Sequence, residues 1–132
     1  MLQQQNKYLE MTIQTATPAQ LLIMLCDGAI RFCRKAIDSL NENKHQEAHN
    51  YLMRVQDIIN EFVITLDKKS SVAEGLLQLY DYFIHRLMEA NINKKAEPAE
   101  EVLQFLMELK NTWVEANKLA IAQKTTGDAS HA

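Results

Sequence analysis

Glycine and proline are scarce in this chain of 132 residues, which has three of the first and two of the second. All-β folds need many turn residues, so the scarcity excludes a strand-rich fold and favours long helices with few connections. Cysteine is limited to Cys26 and Cys33. On one helix, seven residues apart, their Cα atoms would lie ~10 Å from each other, too far for a disulfide. They read as reduced, buried thiols. No apolar stretch approaches the ~20 residues of a membrane span; the longest, Leu21 to Cys26, stops at Asp27. A basic segment followed by an apolar one, the mark of a secretory signal, is also missing at the N-terminus, so the expected compartment is the cytosol and no membrane insertion is expected. Nor is there a basic excess. The net charge is −3, which argues against a nucleic-acid partner. The one local basic cluster, Arg31, Arg34 and Lys35, reads as a solvated helix face, with Asp27 at i,i+4 to support Arg31.

Hydrophobic residues are nevertheless 47% of the chain, enough for one ordinary domain with a real core. Their spacing is helical. Thr17-Pro18-Ala19-Gln20 is a capping box with proline at the first helical position. Leu21, Leu22, Leu25, Ala29, Phe32, Ala36 and Leu40 follow as a stripe. Ile23, Met24, Ile30, Cys33 and Ile37 fall beside it, so this helix is either sandwiched or offers a second face to a partner. Beyond the turn at residues 41–44, a second helix carries Ala48, Tyr51, Leu52, Val55, Ile58, Ile59, Phe62 and Leu66. Ser71-Val72-Ala73-Glu74 reads as a further capping box, opening a third helix with Leu76, Leu77, Tyr80, Phe83, Ile84, Leu87 and Met88. Pro98 is placed to start a fourth, whose stripe is Val102, Leu106, Leu109, Trp113, Ala116 and Ala120.

Four helices of about 22–25 residues joined by short loops predict an all-α fold, an antiparallel up-down four-helix bundle. The expected organisation is an N-terminal arm or cap over 1–16, the bundle over 17–122 and a frayed tail over 123–132. Leu2, Leu9 and Ile13 give the arm apolar residues, too few to fold alone, so residues 2–13 are read as a movable cap over part of a groove.

Motifs for catalysis do not hold up on inspection. His45-Gln46-Glu47-Ala48-His49 superficially resembles the zinc-protease H-E-x-x-H, but its glutamate is one position late and points away from the face the histidines share. Glu42-Asn43-Lys44-His45 matches one Glu-x-x-His element of di-iron bundles, which need two copies. His85, followed by Arg86-Leu87-Met88-Glu89, lacks the H-x-x-K-G of histidine phosphotransfer domains. With no phosphate loop and no nucleophile elbow, the chain reads as a binding protein, not an enzyme, with no catalytic residues, metal or cofactor. Tyr80-Asp81-Tyr82, with Arg86 at i,i+4 to Tyr82 and able to stack on it, has the composition of an interaction surface.

Ordered blocks along the chain resemble the flagellar export chaperone FliS family. They are Thr15-Ala16-Thr17-Pro18, Leu21 to Phe32, Arg54-Val55-Gln56-Asp57-Ile58-Ile59, Thr65-Leu66-Asp67 and Leu79 to Asn91, with Tyr8 and Trp113 flanking them. Thr17 stands for the family's usual serine, which preserves the cap, and Cys26 stands where an aromatic is common. The resemblance implies a chaperone that binds the disordered C-terminal segment of flagellin, prevents premature polymerisation and delivers it to the flagellar export apparatus. It places partner contacts at Tyr8, Ile13, Leu21, Leu22, Leu25, Asp27, Arg54, Asp57, Ile58, Tyr80, Asp81, Tyr82, Arg86 and Asn91. The alternatives are a non-flagellar helical adaptor or self-assembling bundle, and a histidine phosphotransfer domain.

Overall fold

The computed structural model describes residues 17–130, with side chains to residue 123. Four helices lie among the described residues: α1 (Pro18–Asn41), α2 (His45–Thr65), α3 (Ala73–Asn93) and α4 (Glu97–Ser130). No strand occurs among the described residues. Each helix packs on its sequence neighbours, and α4 closes the ring against α1. Short connections make neighbours antiparallel, which is the up-down bundle the sequence predicts.

α1 starts where its capping box dictates. The Thr17 hydroxyl accepts from the Gln20 N–H at 3.2 Å, and the Thr17 N–H donates to Gln20 Oε1 at 3.0 Å. The chain leaves α1 through Asn43 at φ 58°, a left-handed position that asparagine tolerates. α3 starts differently from expectation. Its N-cap is Val72, without a side-chain cap. Ser70 rather than Ser71 turns the chain, its Oγ accepting from the Val72 N–H at 3.3 Å. The supposed second capping box is therefore a Ser70-centred turn. α3 ends on Lys94 in the left-handed region, φ 53°.

The helices are not of equal length. α4 has 34 residues against 24, 21 and 21 for the others. At 1.5 Å per residue it is ~51 Å long beside partners of ~32–36 Å. It continues through Ser130, past residue 122 where the sequence reading ended the bundle.

The core is one cluster. Its largest fully buried side chains are Tyr80, Phe62, Phe83, Leu52, Ile59, Leu87 and Leu106. α1 is sandwiched between α2 and α4, so its buried positions are Cys26, Ala29, Ile30, Cys33, Ala36, Ile37, Ser39 and Leu40. Several residues beside the expected stripe are thus the deeper ones, while Leu21, Leu22 and Leu25 stay half-buried. Small residues permit close approach here: a Cβ on Gly28 would lie 3.4 Å from Ile58 Cδ1. Cys26 and Cys33 are free and buried, as expected. The Cys33 thiol donates to the Ala99 carbonyl of α4 at 3.3 Å. Burial, the main cause, pushes both thiols up from 9.0 to about 12.

Candidate partner-binding surface

Two faces of the ring have chemistry suited to partners. The first is the groove between α2 and α3. Met53, Gln56, Met88, Asn91 and Ile92 line a cavity of about 300 Å³. Met53, Met88 and Ile92 are 41%, 45% and 75% exposed. Methionine is unbranched and polarisable, so a methionine-lined groove adapts to varied apolar side chains. One end is fixed by polar contacts. Asn91 Nδ2 donates to His49 Nδ1 across the groove at 2.8 Å, and Lys94 Nζ donates to Asn91 Oδ1 at 2.6 Å. Lys94 is the left-handed residue that ends α3, so helix termination and groove geometry are coupled.

The second is the α3–α4 edge. The Tyr82 hydroxyl donates to Glu101. Arg86 Nη1 donates to Glu89 at 2.7 Å and Nη2 to Glu101 at 3.3 Å. Tyr82 and Phe105 meet edge-to-face at 6.4 Å. The bond to the Glu101 carboxylate holds the Tyr82 phenol above its ordinary value. Tyr82 and Arg86 are thus tied through Glu101 to α4, where the sequence suggested that they stack on each other. The Arg86 Nε is buried without a hydrogen-bond partner among the described residues.

The residues singled out from the sequence do not form one patch. Leu21, Leu22 and Leu25 lie half-buried on the first turns of α1, and Ile58 faces Gly28 nearby. Arg54 sits over the Phe32 ring at 5.4 Å. Asp57 is exposed on α2. Asp81 is exposed on α3, with its carbonyl 2.9 Å from His85 Nδ1. Asp27 pairs with Lys110 of α4 at 2.5 Å, not with Arg31. Tyr80 is 1% exposed, packed against Phe62 and Phe83, and offers no surface. Asn91 belongs to the α2–α3 groove, and Tyr82 and Arg86 to the α3–α4 edge. Tyr8, Ile13 and the proposed cap lie outside the described residues.

Sequence reasoning missed Met53 and Ile92, and it assigned Met88 to the core stripe, whereas the side chain is 45% exposed. It also passed over Glu101, near the start of α4, as a partner for Tyr82 and Arg86. Met53 carried a signal, because it lies off the α2 stripe, where an apolar residue has no core to fill.

Comparison with known proteins identifies the group to which this architecture belongs. A family profile described as "Flagellar protein FliS" matches residues 1–120. The chain belongs to the FliS family. It is similar to the flagellar secretion chaperone FliS of Bacillus subtilis, 28% identical over 109 residues, covering 83% of this chain and 82% of that protein. The FliS of Salmonella typhimurium is 29% identical over 119 residues, 88% of each chain. The FliS of Campylobacter jejuni is 29% identical over 121 residues, 89% of this chain and 94% of that one. This is a family of flagellar secretion chaperones, which sets aside a non-flagellar adaptor. No described helix is long and apolar enough to cross a membrane.

Proposed function

We propose that this FliS-family protein is the cytosolic export chaperone of flagellin, binding its disordered C-terminal segment, keeping it from polymerising and holding it ready for the flagellar export apparatus. The observation that carries this reading is the α2–α3 groove, where two methionines and an isoleucine stand exposed beside a polar latch. An amphipathic client helix laid in such a groove anchors through side chains at i, i+3 or i+4, and i+7.

Magnitudes indicate how much of the client must bind. Covering Met53, Met88 and Ile92, already partly buried, would contribute roughly 1–2 kcal/mol each. Ordering a disordered client costs ~2–5 kcal/mol or more. One groove therefore about breaks even, and the client must reach a second surface. The half-buried leucines at the start of α1 and the exposed Ile64 and Val72 at the same end of the bundle supply apolar area for that.

The test is calorimetry with circular dichroism on the full-length protein and a peptide from the flagellin C-terminus. Saturable binding with a gain of helix supports the reading. No binding at ~100 μM, where even ~5–6 kcal/mol would register, overturns it.

A further inference from the structure

The ring has an opposite face, between α1 and α4, and its chemistry differs. A cleft of about 490 Å³ lies there. Ile30 and Met107 give it an apolar part, Arg31, Arg34, Lys35 and Lys110 line it with positive charge, and Asp27 is the single carboxylate lining it among the described residues. Asp27 is already engaged by Lys110 at 2.5 Å. The other cations have no carboxylate partner among the described residues. Arg34 reaches only the Met107 sulfur at 3.7 Å. Arg31 lies over Phe32 at 5.4 Å and Lys35 over Tyr51 at 5.7 Å. Arg54 of α2 also sits over Phe32 at 5.4 Å. A strip of unneutralised cations thus runs from α2 across α1 to the α4 edge of the cleft.

This strip reverses the balance of the whole chain, which has 14 lysines and arginines against 17 acids. Like charges three and four residues apart on one helix repel, so Arg31 with Arg34 and with Lys35 carry a standing cost that opposite charges would relieve. Crossing three helices at 8–10 Å between axes, the strip is ~16–20 Å long. A single phosphate covers a small part of that. About five or six extended residues span it.

We propose that the α1–α4 face binds an acidic segment of a partner protein, with carboxylates on Arg31, Arg34 and Lys35 and an apolar side chain against Ile30 and Met107. Nucleic acid fits less well. Single strands bind by stacking bases on aromatic faces, and here Phe32 and Tyr51 stack on each other at 6.3 Å and are capped by cations. The surrounding acidic chain also opposes a dense polyanion. Because this face lies opposite the α2–α3 groove, an acidic docking partner and a helical client fit on the protein together. The inference stands independently of the flagellin reading.

The experiment uses full-length protein and a fluorescein-labelled peptide of about ten residues, alternating glutamate pairs with leucine, followed by anisotropy at low and high salt. Controls are the same peptide with glutamine for glutamate, an oligodeoxynucleotide of similar length and inorganic phosphate. Saturable binding of the acidic peptide below ~100 μM at low salt, weakened by salt and absent for the glutamine peptide, is expected. The triple variant Arg31→Gln/Arg34→Gln/Lys35→Gln should lose about tenfold in affinity, ~1.4 kcal/mol, with helicity and flagellin-peptide binding unchanged. The single variant Arg34→Glu should lose about threefold, which decides the matter if the triple variant fails to fold. No saturable binding, unchanged affinity in a folded variant, tighter binding of the oligonucleotide, or displacement by millimolar phosphate overturns the proposal. Failure of the flagellin peptide alone counts only against the proposed function.

Discussion

The Trp113 ring of α4 meets the Phe62 ring of α2 edge-on, at 5.5 Å and 83°, joining two helices that are diagonal in the ring. Phe62 is 1% exposed and also contacts Tyr80 of α3 at 5.4 Å. One aromatic therefore ties three helices at the end of the bundle where α1 and α3 begin.

Phe62→Ala should cost about 3–5 kcal/mol, from lost transfer energy and the cavity left behind. A double-mutant cycle with Trp113→Ala should show a coupling of ~0.5–1.5 kcal/mol from the ring pair. Urea unfolding with a far-ultraviolet readout measures both. Strict additivity would mean that the contact contributes nothing beyond burial.

Thr17 and Ser71 should behave differently, although both begin sequences of capping-box form. Thr17→Ala removes an observed cap and should cost ~1 kcal/mol. Ser71→Ala removes no observed bond and should stay within ~0.5 kcal/mol. Equal losses would contradict the Ser70-centred turn.

Alkaline conditions should destabilise the fold through its thiols. Cys26 and Cys33 are raised by burial from 9.0 to about 12. Below the unfolded value both states hold the protons and the full contribution is present. As pH rises from 9.0 toward about 12, the unfolded chain loses protons first and stability falls. The urea midpoint should drop over that window, with a shallower drop in Cys26→Ala/Cys33→Ala. Buried Tyr80 is raised in the same direction, by burial first and by neighbouring Cys26 second, so removing Cys26 also relieves part of the Tyr80 shift and acts in the same sense. A disulfide-exchange reagent at neutral pH should react slowly, at a rate set by opening of the bundle.

Met88→Lys should separate binding from folding. The side chain is 45% exposed, so the unfolding midpoint should barely move. A cation placed in the apolar groove should weaken the flagellin peptide by about tenfold or more, ~1.4 kcal/mol. Unchanged peptide affinity would move the client off the α2–α3 groove.

Local order was legible in the residues themselves. The Thr17 box, the helical spacing of apolar residues and the short polar turns mark the order of the four helices in the described residues, because capping and amphipathic periodicity depend on near neighbours along the chain. The blocks from Leu21 to Phe32 and from Leu79 to Asn91 pointed to the family for a similar reason, being contiguous.

What required the tertiary structure is which side of each helix meets which neighbour. Periodicity marks an apolar side but does not fix the rotation of a helix lodged between two others. That is why Ile30, Cys33 and Ile37 went into the core while Leu21 and Leu25 stayed half out. The same ambiguity placed Met88 in the core on paper and in an open groove in space. Partners distant in sequence were invisible for a plainer reason. Asp27 has Arg31 one turn away, yet α4 brings Lys110 within 2.5 Å of it, and Tyr82 and Arg86 converge on Glu101 only because α3 and α4 pack side by side. Ion pairs and grooves depend on distances through space, and in a bundle the packing of whole helices sets those distances.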